Sequence, residues 1–300
     1  MKKILLTGAT GFLGGHLLKL LTQEKDWCSV AIITRCNNEN VCSSIEQITN
    51  VGDYIDFEEK ILRFDPEIVI HLASYLSAND DYEDIDNIID ANITFGTKVL
   101  QALSKANVQY FINTGSFAEF YWNDGELDPA YLYSASKTAF RHIVDYYSKK
   151  SDFKVINVIP YTIYGEKDKN KKVIDYIIDA LDSNDAIGMT AGEQVLDFVH
   201  VEDVAEFYLC LLKNIQNITA TNESFHVGTG IGTSIKDIAA KIEESTSKKL
   251  NISWGEREYR SRDVMRAVAS SFKAKSIVGW ESKINIEDGI NLLLKTKGLI

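Results

Sequence analysis

Short, continuously apolar runs alternate with longer segments of helical spacing through the first half of the chain. Lys3-Ile4-Leu5-Leu6-Thr7 predicts a buried strand, residues 11–21 an amphipathic helix, Ser29-Val30-Ala31-Ile32-Ile33 a second strand and residues 57–63 a short helix. The alternation continues with a strand over residues 68–72, a helix over 89–105, a strand over 110–113, a long helix over 133–149 and a strand over 155–159. Strands that are apolar along their whole length are buried on both faces, which a parallel sheet covered by helices provides. The predicted fold class is therefore α/β, with a doubly wound parallel sheet. After residue 159 the alternation breaks at the polar run Gly165-Glu166-Lys167-Asp168-Lys169-Asn170-Lys171-Lys172, and the last third mixes helices with isolated strands. Such a charge run is either a solvated loop or a loop facing an anionic ligand. The mixed pattern that follows it predicts a smaller α/β lobe.

Composition narrows the partners. The chain has 300 residues, 45% of them hydrophobic and 25% charged, with a formal net charge of −11. That is a soluble globular composition, and its acidic balance argues against nucleic acid as a partner. Met1-Lys2-Lys3 begins like a signal peptide, but the apolar run Ile4-Leu5-Leu6 stops at Thr7-Gly8. No apolar stretch approaches the roughly 20 residues of a membrane span. Cys28, Cys36, Cys42 and Cys210 form no C-x-x-C pair and lack histidines at metal spacing, so neither a disulfide framework nor a metal site is expected. A reduced, cytoplasmic enzyme is the expectation.

Gly8-Ala9-Thr10-Gly11-Phe12-Leu13-Gly14 lies between the first predicted strand and the first helix. In that position the first glycine allows the tight turn, the middle one lets a pyrophosphate approach the backbone, and the last lets helix and strand pack closely. The helix N-terminus then faces the phosphates. These residues mark a Rossmann-type dinucleotide site over residues 1–160, with 193–229 returning to it and with 161–192 and 230–300 forming a substrate-binding lobe. The second strand runs out in Thr34-Arg35-Cys36-Asn37, with Arg35 where an acidic residue would bind the ribose hydroxyls of NAD. A guanidinium there suits a 2′-phosphate, so NADPH/NADP is expected over NADH; the alternative is a solvated surface arginine.

Tyr133-Ser134-Ala135-Ser136-Lys137 places a phenol and an ammonium four residues apart, on one face of one helix. A tyrosine of pKa about 10 exchanges protons poorly near neutrality, and a neighbouring cation is expected to lower that value. The pair is a candidate general acid/base. Tyr131 is a second phenol, without a lysine four residues on. Ser116, after Asn113-Thr114-Gly115, sits at a strand end and is the candidate to orient a reacting carbonyl oxygen, with Thr114 as the competitor.

These motifs, with Val69-Ile70-His71-Leu72-Ala73, Asn92 and Gly96-Thr97, Pro160 ahead of Tyr164-Gly165, Asp197-Phe198-Val199-His200-Val201-Glu202-Asp203-Val204, His226-Val227-Gly228-Thr229-Gly230, Arg260-Ser261-Arg262-Asp263 and Gly279-Trp280, resemble the extended short-chain dehydrogenase/reductases of the NAD-dependent epimerase/dehydratase family, which act on nucleotide sugars. The resemblance covers nearly the whole chain. It implies catalysis by Ser116, Tyr133 and Lys137. It also implies cofactor contacts from Gly8, Thr10, Gly11, Phe12, Leu13, Gly14, Thr34, Arg35, Leu72, Ala73, Asn92, Tyr133, Lys137 and Pro160. Substrate contacts are implied for Ser74, Ser116, Phe117, Tyr133, Thr162 and Arg260. A homodimer through the helices holding Asn92 and Tyr133, paired as a four-helix interface, is implied as well.

Within the family, sugar 4,6-dehydratases carry an Asp-Glu pair immediately after the serine position, where this chain has Phe117-Ala118. A neutral pair cannot move the protons of an elimination. Epimerase/reductases that make GDP-fucose carry a cysteine and a histidine at the positions of Ala118 and Lys167. What remains is a set sufficient for hydride transfer at one carbonyl. Asn113-Thr114-Gly115-Ser116-Phe117, Gly192-Glu193-Gln194-Val195-Leu196-Asp197-Phe198 and Val227-Gly228-Thr229-Gly230 look like the CDP-abequose and CDP-paratose synthases, NADPH-dependent 4-ketoreductases of nucleotide-linked 6-deoxysugars that supply O-antigen; related reductases make dTDP-fucose. An NAD-dependent UDP-hexose 4-epimerase is the alternative, and a non-catalytic dinucleotide sensor the remote one. Two positions depart from the pattern: Leu196 replaces an arginine common in relatives, and Ala269-Ser270 replaces Ala-Asp.

Overall fold

Among the strands, β1 (Lys2–Thr7), β2 (Cys28–Thr34), β3 (Glu46–Thr49), β4 (Ile68–His71), β5 (Tyr110–Thr114) and β6 (Lys154–Pro160) pair in parallel. The computed structural model describes the chain except Asn37, Glu39, Asn40, Ser44, Val51, Gly52, Asp53, Asp80, Lys167 and Lys169, so Asn37 and Lys167 of the sequence expectations lie outside the described residues. After β7 (Thr162–Tyr164), β8 (Ile187–Met189) and β9 (Val195–His200), strand β10 (Asn222–Val227) returns to pair with β6. The resulting sheet has seven strands in the order β10-β6-β5-β4-β1-β2-β3. The predicted doubly wound α/β class is the observed one.

Why the strands are apolar at every position is visible in β1. Ile4 and Leu6 enter one core with α1 (Phe12–Leu21), while Leu5 enters the opposite core with α2 (Tyr54–Phe64). The chain continues through α3 (Tyr82–Ile89), α4 (Phe95–Leu103), α5 (Leu132–Ser151), α6 (Val173–Asp179) and α7 (Val201–Lys213). The second core also takes Val99 and Leu100 of α4 with Phe140 and Val144 of α5, while Phe207 and Tyr208 of α7 join the first. Alternate residues of a strand thus serve two helix layers.

Two elements of the first half escaped the sequence pattern among the described residues. Strand β3 has the sequence Glu-Gln-Ile-Thr, with only Ile48 buried, because it is the sheet edge. Helix α3 is capped by Asp81, whose side chain accepts the Asp84 N–H. The helix expected over 89–105 is interrupted by a π turn over Asp90–Thr94 that holds Asn92.

In the lobe, β9 pairs with β7, β11 (Gly232–Ser234) and β13 (Arg266–Ala267), and β12 (Ile252–Trp254) pairs with β8. Helices α8 (Ile235–Thr246) and α9 (Ile286–Thr296) pack there with α6. Within residues 193–229, β9 belongs to this small sheet, and the return to the large sheet is made by α7 and β10. The junction is held by Asp197. Its fully buried carboxylate accepts the N–H groups of Thr229, Gly230 and Ala269 and the Thr229 hydroxyl. The Ala269-Ser270 departure therefore leaves a backbone contact of the junction intact.

Candidate active site

The C-terminal ends of the parallel strands converge on a groove and an adjoining cavity. Gly8, at φ +70°, lies against the Leu72–Ala73 backbone, where a Cβ would meet Ala73 N at 2.6 Å. Gly14 packs on the Gly8 carbonyl so closely that a side chain has no room. Gly11 differs: only the Gly8 carbonyl, at 3.2 Å, is near its Cβ position, and the rest is open groove. It is also the N-cap of α1, with no side-chain cap and no acidic residue in the first turn. The helix N-terminus thus offers free N–H groups to an anion.

This groove, about 730 Å³, is lined by Thr10, Phe12, Leu13, Leu72 and Ser74. Ala73 N donates to Thr7 Oγ1 (3.1 Å), and Thr7 Oγ1 lies 3.0 Å from Nδ1 of buried His71. Since Ala73 N–H occupies an acceptor site of Thr7, the hydroxyl hydrogen is free to go to His71. Burial and the Lys137 charge push the His71 pKa down to about 3, which keeps the imidazole neutral. At the C-terminal end of β2, beyond the residues that line the groove, the buried hydroxyl of Thr34 has no protein partner, and Arg35 is exposed one residue on. An uncapped helix N-terminus, a glycine open to the groove and an orphaned hydroxyl fit a dinucleotide.

Asn92 is buried rather than lining the groove. Its carbonyl oxygen accepts from Ser74 Oγ (3.2 Å) and Tyr75 N (2.8 Å), and its Nδ2 donates to Tyr75 O (3.1 Å) and Ser136 Oγ (3.0 Å). It holds the segment after β4 against α5.

Ser116, Tyr133 and Lys137 come together where the groove meets the cavity. Ser116 Oγ accepts the Ala118 N–H at 3.2 Å, which leaves its own hydrogen free to be donated. Lys137 Nζ donates to the Thr114 carbonyl (3.1 Å) and lies 5.7 Å from the centre of the Tyr133 ring. Burial lowers the Lys137 pKa to about 8, against an opposing pull from Glu119. For Tyr133 the expected direction is corrected: burial first, then Tyr131, raises the phenol pKa, although the Ser74 hydrogen bond works the other way. Desolvation sets the direction because the phenol is buried, and the carboxylate of Glu119 adds to it. The phenol is consequently held as a proton donor. Thr114 is excluded as the orienting hydroxyl, since it bonds the buried Tyr208 hydroxyl at 2.6 Å. Tyr131 stacks on Tyr133 with ring centres 6.0 Å apart.

The cavity, about 620 Å³, is bounded by Ser116, Phe117, Tyr133, Pro160, Thr162 and Arg260. An adjoining space of about 880 Å³ shares Phe117, Tyr131, Leu196 and Arg260 with it. Phe117 stacks on Tyr161 at 5.7 Å, and the buried Thr162 hydroxyl lacks a partner. Two cations here were not singled out from the sequence. Arg257, three residues before Arg260, lines the same cavity, and neither guanidinium forms an ion pair among the described residues. Lys172 borders the cavity, pairs with Asp168 at 2.8 Å and lies 4.6 Å from the Phe12 ring centre, bridging cavity and glycine loop. The polar run after Gly165 was the signal of this, and its described residues Glu166, Asp168 and Asn170 line the groove while Lys171 and Lys172 line the cavity.

Known proteins resemble the chain over nearly its full length. The chain is 32% identical to the CDP-abequose synthase of Salmonella typhimurium, with 97% of each chain covered. It is 26% identical to a putative UDP-glucose 4-epimerase of Methanocaldococcus jannaschii, over 96% of this chain and 95% of that one. Its fold matches the Bacillus cereus UDP-glucuronic acid 4-epimerase in complex with UDP-glucuronic acid and NAD, at a TM-score of 0.85 and 19% identity over 99% and 100% of the two chains. It also matches the Thermotoga maritima UDP-glucose 4-epimerase with UDP-glucose, at 0.84 and 22% over 99% and 100%. The model of the NAD dependent epimerase/dehydratase family matches residues 4–228, three quarters of the chain, and the chain belongs to that family.

Proposed function

We propose that the protein is an NADPH-dependent reductase of the C4 keto group of a nucleotide-linked 4-keto-6-deoxysugar, CDP- or dTDP-linked, supplying a deoxysugar for a surface polysaccharide such as O-antigen. The carrying observation is the neutral pair Phe117-Ala118 beside an assembled Ser116, Tyr133 and Lys137. That set lacks the further acid and base which elimination or proton-abstracting C3/C5 epimerisation requires. Similarity to a CDP-abequose synthase supports the same choice.

The cofactor would be held by the glycine loop, Thr34, Arg35, Leu72, Ala73 and Lys137. When bound, the reduced nicotinamide supplies the hydride. The residues of the chain do the rest. Ser116 donates a hydrogen bond to the C4 oxygen and orients it, and Tyr133 delivers the proton that completes the hydroxyl. Lys137 supplies positive charge beneath the phenol as that proton leaves. Arg260 and Arg257 lie where a diphosphate can be clamped, compensating for the apolar Leu196 on the same wall. Tyr82, Ile89 and Tyr146 are exposed on α3 and α5, which suits a homodimer through those helices.

NADPH oxidation with CDP-, dTDP- and GDP-linked 4-keto-6-deoxysugars, followed by the stereochemistry of the product, tests the proposal. Turnover with one of them is expected. Retention of NAD⁺ by the purified protein, with interconversion of UDP-glucose and UDP-galactose, would replace the reductase with the epimerase that the solved structural neighbours represent.

A further inference from the structure

On α5 the residues Tyr133, Lys137 and Arg141 follow one another at four-residue spacing, so Arg141 extends the catalytic face by one turn. Opposite it, the short turn Phe117–Glu119 that follows Ser116 ends in a carboxylate with no exposed surface. Glu119 Oε1 accepts the Ser116 N–H at 2.8 Å and Arg141 Nη2 at 3.1 Å. Its Oε2 accepts from Arg141 Nε (3.3 Å) and Nη2 (3.1 Å) and from Thr138 Oγ1 (3.3 Å). Gly115 is what admits the carboxylate, because a Cβ there would overlap Glu119 Oε1.

We propose that Glu119, clamped by Arg141, is a positioning residue that locks Ser116 to the helix carrying Tyr133 and Lys137. A buried ion pair contributes little net stability over an apolar replacement, since desolvation offsets the attraction. What this pair does is geometric: one carboxylate joins the backbone of the strand-end serine to the side chains of α5. The hydroxyl and the phenol that share one substrate oxygen are thereby held in register.

The pair also sets the charge under the reaction. The groups facing Lys137 are Glu119 from the turn, neutral His71 from β4, the Thr114 carbonyl from β5, and Tyr133 and Arg141 on its own helix. Glu119 is the anion among them and favours the charged lysine.

The inference rests on the proposed function only through the roles of Ser116, Tyr133 and Lys137, and two variants test it. Glu119→Gln is expected to lower kcat on the order of 10- to 100-fold with little change in KM. Its alkaline limb is expected to move to lower pH, because removing the anion makes Lys137 easier to deprotonate. Independently of turnover, hydrogen exchange of the Ser116 amide is expected to quicken selectively while the amides of β5 stay protected. Glu119→Leu with Arg141→Met removes both charges and guards against misfolding of the single variant; it too is expected to lose kcat while keeping its melting transition. A wild-type kcat in the folded double variant, or an unchanged limb and unchanged Ser116 exchange in Glu119→Gln, overturns the proposal. Should no 4-keto sugar be turned over by the parent protein, the function fails while Ser116 exchange still decides for or against Glu119.

Discussion

The glycine-loop half and the cavity side of this molecule are built in different ways. Around the glycine loop the site is mostly backbone: an uncapped helix N-terminus behind Gly11, a turn that only glycine can make at Gly8, and buried polar side chains already satisfied, Thr7 by His71 and Asn92 by Ser74, Tyr75 and Ser136. Across the cavity the site is mostly side chains with open valences, namely Arg257, Arg260 and the orphaned Thr162 hydroxyl. A backbone site tolerates little variation and serves one ligand shape. A side-chain site on a separate sheet can be altered residue by residue, which is how one family accommodates several sugars.

Perturbing each half separately should break or sharpen that contrast. The largest effect belongs at the junction: Tyr133→Phe is expected to cut kcat on the order of 10³-fold while NADPH still quenches or protects the protein as before. On the substrate side, Arg260→Ala is expected to raise the substrate KM about 10- to 100-fold with the cofactor KM unmoved, the loss of one charge-assisted contact. Arg257→Ala should act in the same direction and more weakly. On the cofactor side, Arg35→Ala is expected to raise the NADPH KM about tenfold and to leave the NADH KM nearly alone, read from initial rates with both cofactors.

Lys137 marks where the two halves share a charge. Its pKa is lowered by burial to about 8, so the ammonium is present below that pH and is lost as the pH rises through it. The kcat profile should therefore fall on the alkaline side near pH 8, and Glu119→Gln should move that fall to lower pH. The smallest effect is on stability: Thr7→Val removes the hydroxyl between His71 and the Ala73 N–H, at an expected cost of about 1–2 kcal/mol in a denaturant titration with the sheet retained.

Much of the first half was legible because its signals are local. Strand apolarity, the glycine spacing and the Tyr133–Lys137 interval are each written within a few residues, and helix periodicity converts the last into a shared face. What escaped the pattern was marginal or non-local. β3 has one buried apolar residue, and the π turn at Asn92 leaves no trace in hydrophobic spacing. The effect of burial on Tyr133 was missed because the sequence shows the neighbouring lysine but not the exclusion of water.

By itself, then, the amino-acid sequence determined the doubly wound sheet, the glycine turn after β1 and the shared helix face of Tyr133 and Lys137, since all depend on neighbours along the chain. Only the tertiary structure decided that Lys172 reaches Phe12, that Arg257 joins Arg260 at the cavity, and that Glu119 ties Ser116 to α5 through Arg141. Those pairings join residues brought together by packing, and the protonation of buried groups follows from the water that packing removes.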